Sequence, residues 1–102
     1  LERAIIAGLR FQLDLYINLR PIKLFDAKLC PLKDKGPEHV DMVVIRENTE
    51  DLYTGIENLI TPGVTQAIKI VTERASLRIA RWAFEYARKN GRKKVTLVHK
   101  AN

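Results

Sequence analysis

Three arginines stand at places where regular elements should end. Arg10 lies on an amphipathic stretch, Arg20 at its close, and Arg46 just after an apolar run. A guanidinium binds a carboxylate through two parallel hydrogen bonds, so arginines that converge on one cleft can hold a di- or tricarboxylate. The alternative for each is a solvated surface arginine. Arg46-Glu47-Asn48-Thr49-Glu50-Asp51-Leu52-Tyr53 is unusually polar for a segment leaving an apolar run, and such segments are often site loops. Tyr53 can serve as a general acid if its phenol lies beside a reacting carbon, or can simply pack at a sheet edge. Lys100 lies between His99 and Asn102. A lysine desolvated at the end of a buried strand can act as a base; otherwise it is an ordinary exposed cation.

The elements that must carry these residues follow from periodicity. Apolar residues at Leu1, Ile5, Ile6, Leu9, Leu13, Tyr16 and Ile17 predict a helix over 1–18, which Pro21 should end. Ile22 to Phe25 reads as a short strand, 26–39 as a surface loop, and Val40 to Ile45 as a buried β-branched strand. Asp51 to Glu57 is a possible extended piece, Thr61-Pro62-Gly63 a turn, and Val64 to Thr72 an alternating strand. A second helix follows, with Ser76 as its cap, an apolar stripe of Ile79, Trp82, Ala83, Tyr86 and Ala87, and Gly91 at its end. Lys94 to Val98 should be a final strand. The fold class is therefore α/β.

Composition narrows the function. The 102 residues carry a net charge of +6, and a strongly basic chain raises nucleic-acid binding as a possibility. The basic cluster Arg88, Lys89, Arg92, Lys93 and Lys94 has no interleaved aromatics, and two of its members suit a helix C-terminus, so a solvated helix end is preferred. A single cysteine, Cys30, excludes an internal disulfide and a cysteine metal cage. His39 and His99 have no ligand spacing, and Glu47, Glu50 and Asp51 lack that of a calcium loop. No glycine fingerprint for phosphate, no P-loop and no membrane-length apolar run is present. A chain this size could expose roughly 6,000 Å² and build a modest core. Both ends nonetheless look cut: the first residues read as mid-helix, the last as a strand exit.

Taken together, the motifs are familiar. Leu9-Arg10-Phe11-Gln12-Leu13-Asp14-Leu15-Tyr16 with Asn18-Leu19-Arg20-Pro21 resembles the substrate-binding helix of the β-decarboxylating dehydrogenases, the isocitrate and 3-isopropylmalate dehydrogenases. Arg46 to Ile56 is similar to their second motif, and Ile79 to Arg88 with His99-Lys100-Ala101-Asn102 to their third. The resemblance implies a partial substrate-binding and dimerisation domain over 1–102, an interlocking arm at about 47–70, and nucleotide-binding parts outside the chain.

It also implies a chemistry. A 2-hydroxy acid is oxidised by NAD or NADP with Mg²⁺ or Mn²⁺, then loses its β-carboxylate as CO₂. Arg10, Arg20 and Arg46 would hold carboxylates and Tyr53 would protonate the enolate. Lys100 would take the hydroxyl proton in the partner subunit's site of a homodimer, and Asn102 would lie near the nicotinamide ribose. The aspartate metal ligands would fall beyond the chain. The expected setting is cytoplasmic, or the mitochondrial matrix in a eukaryote, without nucleic-acid or membrane partners. Isocitrate enzymes carry a Ser and an Asn before the first arginine. Counted back from Arg10, those places are Ala4 and Ile6, which tilts the substrate slightly to 3-isopropylmalate. The stretches Asp51 to Glu57 and Val98-His99-Lys100 tilt it back to isocitrate. A non-catalytic regulatory subunit is the alternative from a different functional class.

Overall fold

The computed structural model describes residues 3–100 and divides into two compact units, 1–48 and 49–102. Mixed α/β architecture is observed, as expected.

In the first unit, a π-helical turn over Arg3–Ala7 runs into a short helix α1, Gly8–Gln12. The predicted helix to residue 18 is thus too long, and Pro21 is not what stops it. Asp14 adopts the left-handed conformation, with φ of 47°. The amide of Leu15 donates to the carbonyl of Arg10 (2.9 Å) and that of Asp14 to Phe11 (3.3 Å). These are the two bonds of a Schellman stop, with aspartate where glycine is usual. The chain then enters strand β1, Ile17–Lys23, which contains Pro21. Proline is tolerated on an edge strand because its missing N–H need not serve a ladder.

β1 pairs antiparallel with β2, Asp41–Glu47, with Asn18 opposite Arg46, Arg20 opposite Val44 and Pro21 opposite Val43. Residues alternate between faces. One face of this ribbon carries Leu19, Pro21, Val43 and Ile45; the other carries Asn18, Arg20, Val44 and Arg46. The expected buried strand is only half-covered, with Met42 at 52% and Val44 at 40% exposure. A two-stranded ribbon has no further layer to bury it.

In the second unit, Leu52–Thr54 forms a 3₁₀ turn, then β3, Glu57–Thr61, and β4, Val64–Ala67, make an antiparallel hairpin. Gly63 turns it at a φ of 83°, a region glycine enters without a Cβ penalty. The 3₁₀ turn replaces the extended piece expected over 51–57. Helix α2 spans Glu73–Lys89. Its cap is Thr72, not Ser76. The Thr72 hydroxyl accepts from the amide of Ala75 at 3.2 Å. Its C-terminus is a second Schellman stop: Arg92 donates to Ala87 (2.8 Å) and Gly91 to Arg88 (3.4 Å), with Gly91 at a φ of 63°. Trp82 and Tyr86 stack along the helix at 5.2 Å.

The strand expected over 94–98 does not form: 92–100 are irregular, and Leu97 and Val98 are 85% and 86% exposed. An apolar β-branched run cannot become a strand without a neighbour to share its backbone hydrogen bonds. The same shortage governs the core. Among the described residues only Ala75, Ala87 and Asn48 are buried, and the chain presents 8822 Å² of surface. Two dozen large apolar side chains, among them Phe25 and Leu59, need surface that these residues do not supply to one another.

Candidate active site

One face of the ribbon gathers two of the candidate arginines in the first unit. Arg20 and Arg46 occupy diagonal positions across β1 and β2, and diagonal neighbours on one face lie roughly 7–8 Å apart. Two arginine side chains rooted at diagonal positions on one face can converge on one dicarboxylate. Arg20 is exposed and Arg46 half-buried. Arg20 Nε donates to Oδ1 of Asn18 at 3.0 Å, and Arg46 Nη1 donates to Oδ1 of Asn48 in a long contact of 3.4 Å. Arg10 sits half-buried in the last turn of α1. Its carbonyl accepts the bond that turns the chain into β1, so the helix stop and the start of the arginine-bearing strand are one structure.

Asn48 ties this region together and received no role from sequence reasoning. It is 8% exposed. Its Nδ2 donates to the carbonyl of Leu15 (3.0 Å) and its backbone amide to that of Tyr16 (3.1 Å). The usable signal was the spacing of Asn18 and Arg20, two apart, which on a strand places them on one face.

Tyr53 and Lys100 belong to the second unit. Tyr53 is 51% exposed at the centre of the 3₁₀ turn. Asp51 fixes the entry to that turn. Its backbone is held at φ 67°, ψ −143°, while its Oδ1 accepts from the amide of Leu52 at 2.8 Å. Its amide donates to Ile70 (2.8 Å), and its carboxylate pairs with Lys69 at 3.6 Å. Gly55, at a φ of 70°, closes the exit. A non-glycine residue in this region costs about 1–3 kcal/mol, so the turn that presents Tyr53 is imposed by its surroundings.

The polar stretch that looked catalytic is largely consumed by architecture. Thr49 Oγ1 accepts from Arg78 at 3.1 Å. Glu50 accepts from the amide of Thr72 (2.8 Å) and from its hydroxyl (2.5 Å). A carboxylate at a helix N-terminus is favoured by the helix dipole.

Lys100 is exposed and not at the end of a buried strand, so the desolvation that would make it a base is not provided by these residues. Asn102 lies outside the described residues. Among the described residues no three His, Cys, Asp or Glu side chains gather to hold a metal ion. No described helix is long and apolar enough to cross a membrane.

The chain is similar over nearly its whole length to known proteins. A mitochondrial protein of Dictyostelium discoideum, named as a regulatory subunit of NAD isocitrate dehydrogenase, is 55% identical over 92% of this chain. A Drosophila melanogaster protein named as a probable alpha subunit of NAD isocitrate dehydrogenase, also mitochondrial, is 49% identical over 99%. The chain spans about a quarter of the length of each, 25% and 26%. The crystal structure of isocitrate dehydrogenase from Methylococcus capsulatus superposes with a TM-score of 0.79 at 43% identity, covering 96% of this chain and 29% of that one. The isocitrate/isopropylmalate dehydrogenase family model matches residues 2–102, and the chain belongs to the isocitrate/isopropylmalate dehydrogenase family.

Proposed function

We propose that this chain is the substrate-binding and subunit-association part of an NAD-dependent isocitrate dehydrogenase subunit. The observation that carries the reading is the identity, 49–55% over nearly the whole chain, to proteins named as subunits of that enzyme. Isocitrate therefore replaces 3-isopropylmalate as the preferred substrate. Ile6, one of the two positions behind the isopropylmalate expectation, is 54% exposed among the described residues.

In this reading Arg10, Arg20 and Arg46 bind the carboxylates of isocitrate. Charge developing on the substrate during oxidation and decarboxylation needs fixed positive partners, and arginine supplies them without titrating. Tyr53 returns a proton to the carbon that loses CO₂, and Lys100 takes the hydroxyl proton in a neighbouring subunit. Asn102 contacts the cofactor ribose. NAD, named in the relatives, accepts the hydride. This chain's own residues would contribute recognition and proton transfer. The relatives' subunit names favour an assembly of unlike subunits over a homodimer. Their mitochondrial names favour that compartment over the cytoplasm. The exposed hairpin over 57–67 is the association arm.

A regulatory role is the second reading, supported by the Dictyostelium relative. Tyr53→Phe in the complete protein, assembled with its partners, separates the two. Loss of turnover with isocitrate KM nearly unchanged supports the catalytic reading. Unchanged turnover with an altered response to effectors supports the regulatory one. The substrate is tested by kcat/KM for isocitrate and 3-isopropylmalate with NAD and with NADP, and a preference for isopropylmalate would overturn the reading.

A further inference from the structure

Each arginine of the ribbon face donates to an asparagine amide oxygen. Asn18 Oδ1 accepts Arg20 Nε–H at 3.0 Å, and Asn18 stands opposite Arg46 in the register. Arg20 forms no ion pair among the described residues. Asn48 is the sole buried polar residue among those described, and its orientation is fixed by chemistry. The Leu15 carbonyl only accepts, so the Nδ2 group must face it at 3.0 Å and the Oδ1 must face Arg46. A carboxylate would hold a guanidinium more tightly, but its own negative charge would compete with an anionic ligand. An amide oxygen orients without competing.

We propose that Asn18 and Asn48 are positioning residues for carboxylate recognition, each aiming one arginine of the ribbon face through a neutral oxygen. The proposal rests on reading Arg20 and Arg46 as carboxylate ligands. It distinguishes these asparagines from scaffold residues: their effect must pass through the arginine beside them, and charge at the same position must be worse than deletion.

The test uses the complete protein in its assembly, with isocitrate, Mg²⁺ and NAD, and with thermal stability followed in parallel. Loss of one orienting hydrogen bond should raise the isocitrate KM about three- to tenfold in Asn18→Ala, with kcat changed much less. In an Arg20→Gln background the same change should add less than about twofold, because two residues acting through one contact are not additive. Asn18→Asp should raise KM further than Asn18→Ala. Asn48→Ala should couple to Arg46→Gln in the same way. Because Asn48 also closes the turn to Leu15, the Asn18 cycle decides the matter if that variant folds poorly. Equal penalties in both backgrounds, or Asn18→Asp no worse than Asn18→Ala, would overturn the proposal alone. If Arg20→Gln and Arg46→Gln both leave KM unchanged, the reading of the arginines has failed and the proposal falls with it, for a separately visible reason.

Discussion

Replacing Thr72 with alanine should loosen the start of α2. The Thr72 hydroxyl accepts from the amide of Ala75 at 3.2 Å and donates to Glu50 Oε1 at 2.5 Å, while Glu50 Oε2 takes the Thr72 amide at 2.8 Å. Losing an N-cap costs about 1 kcal/mol. A hydrogen bond to a charged acceptor contributes about 1.5–3 kcal/mol, and solvent exposure here brings that to about 1 kcal/mol. The sum, about 2 kcal/mol, corresponds to roughly thirtyfold faster exchange of the Ala75 amide if it exchanges by local opening. Hydrogen exchange on the complete protein reads this at one site and does not require the whole molecule to unfold in two states. Thr72→Ser keeps both bonds and should exchange nearly as slowly as the parent. Glu50→Gln should give about half the effect, and the double variant should fall short of the sum because the two side chains share a bond. Exchange at Ala75 accelerated less than about threefold in Thr72→Ala, or additive single effects, would refute the linked cap.

Other outcomes follow from single features. Gly91→Ala should cost about 1–2 kcal/mol in urea unfolding, since a Cβ meets no atom there but the φ of 63° is left-handed; Gly91→Asn should cost less. Asp51→Ala should lower kcat through the Tyr53 turn and reduce stability by about 1–2 kcal/mol, because it removes the Leu52 cap while keeping a Cβ at a φ of 67°. Asp51→Gly, free of the backbone penalty, should recover part of both in calorimetry and steady-state kinetics. The 102-residue chain alone should reduce no NAD in the presence of isocitrate and Mg²⁺, and it should associate with itself through exposed Leu59, Ile60 and Val64 of the hairpin. Sustained reduced-nicotinamide absorbance, or a monomer by light scattering, would contradict these two expectations respectively.

Much of the fold was legible wherever the deciding interactions are local. The stripe of α2, its basic last turn and the glycine stop at Gly91 depend on neighbours within five residues, and they formed as read. The turn at Gly63 belongs to the same class, whereas Arg20, expected at the close of a helix, lies in the middle of β1. The family, too, was readable from motif order.

The sequence could not reveal choices made between distant residues. One local stop was missed as well: Asp14, not Pro21, ends α1 by capping the Arg10 and Phe11 carbonyls in the left-handed conformation where glycine is usual. The cap of α2 is completed by Glu50, 22 residues before Thr72. This is a capping box whose acid comes from outside the helix, so no local pattern announces it. Asn48 reaches back 33 residues to Leu15 and so joins α1, β1 and β2 beside Arg46. The segment over 94–98 had strand composition yet formed none, since a strand exists only where a second one accepts its hydrogen bonds. Local propensity determined which elements could form and which side chains could do chemistry. Tertiary pairing decided which strands form, how the start of α2 is capped, and which of the polar residues are spent on holding the arginines and the tyrosine turn.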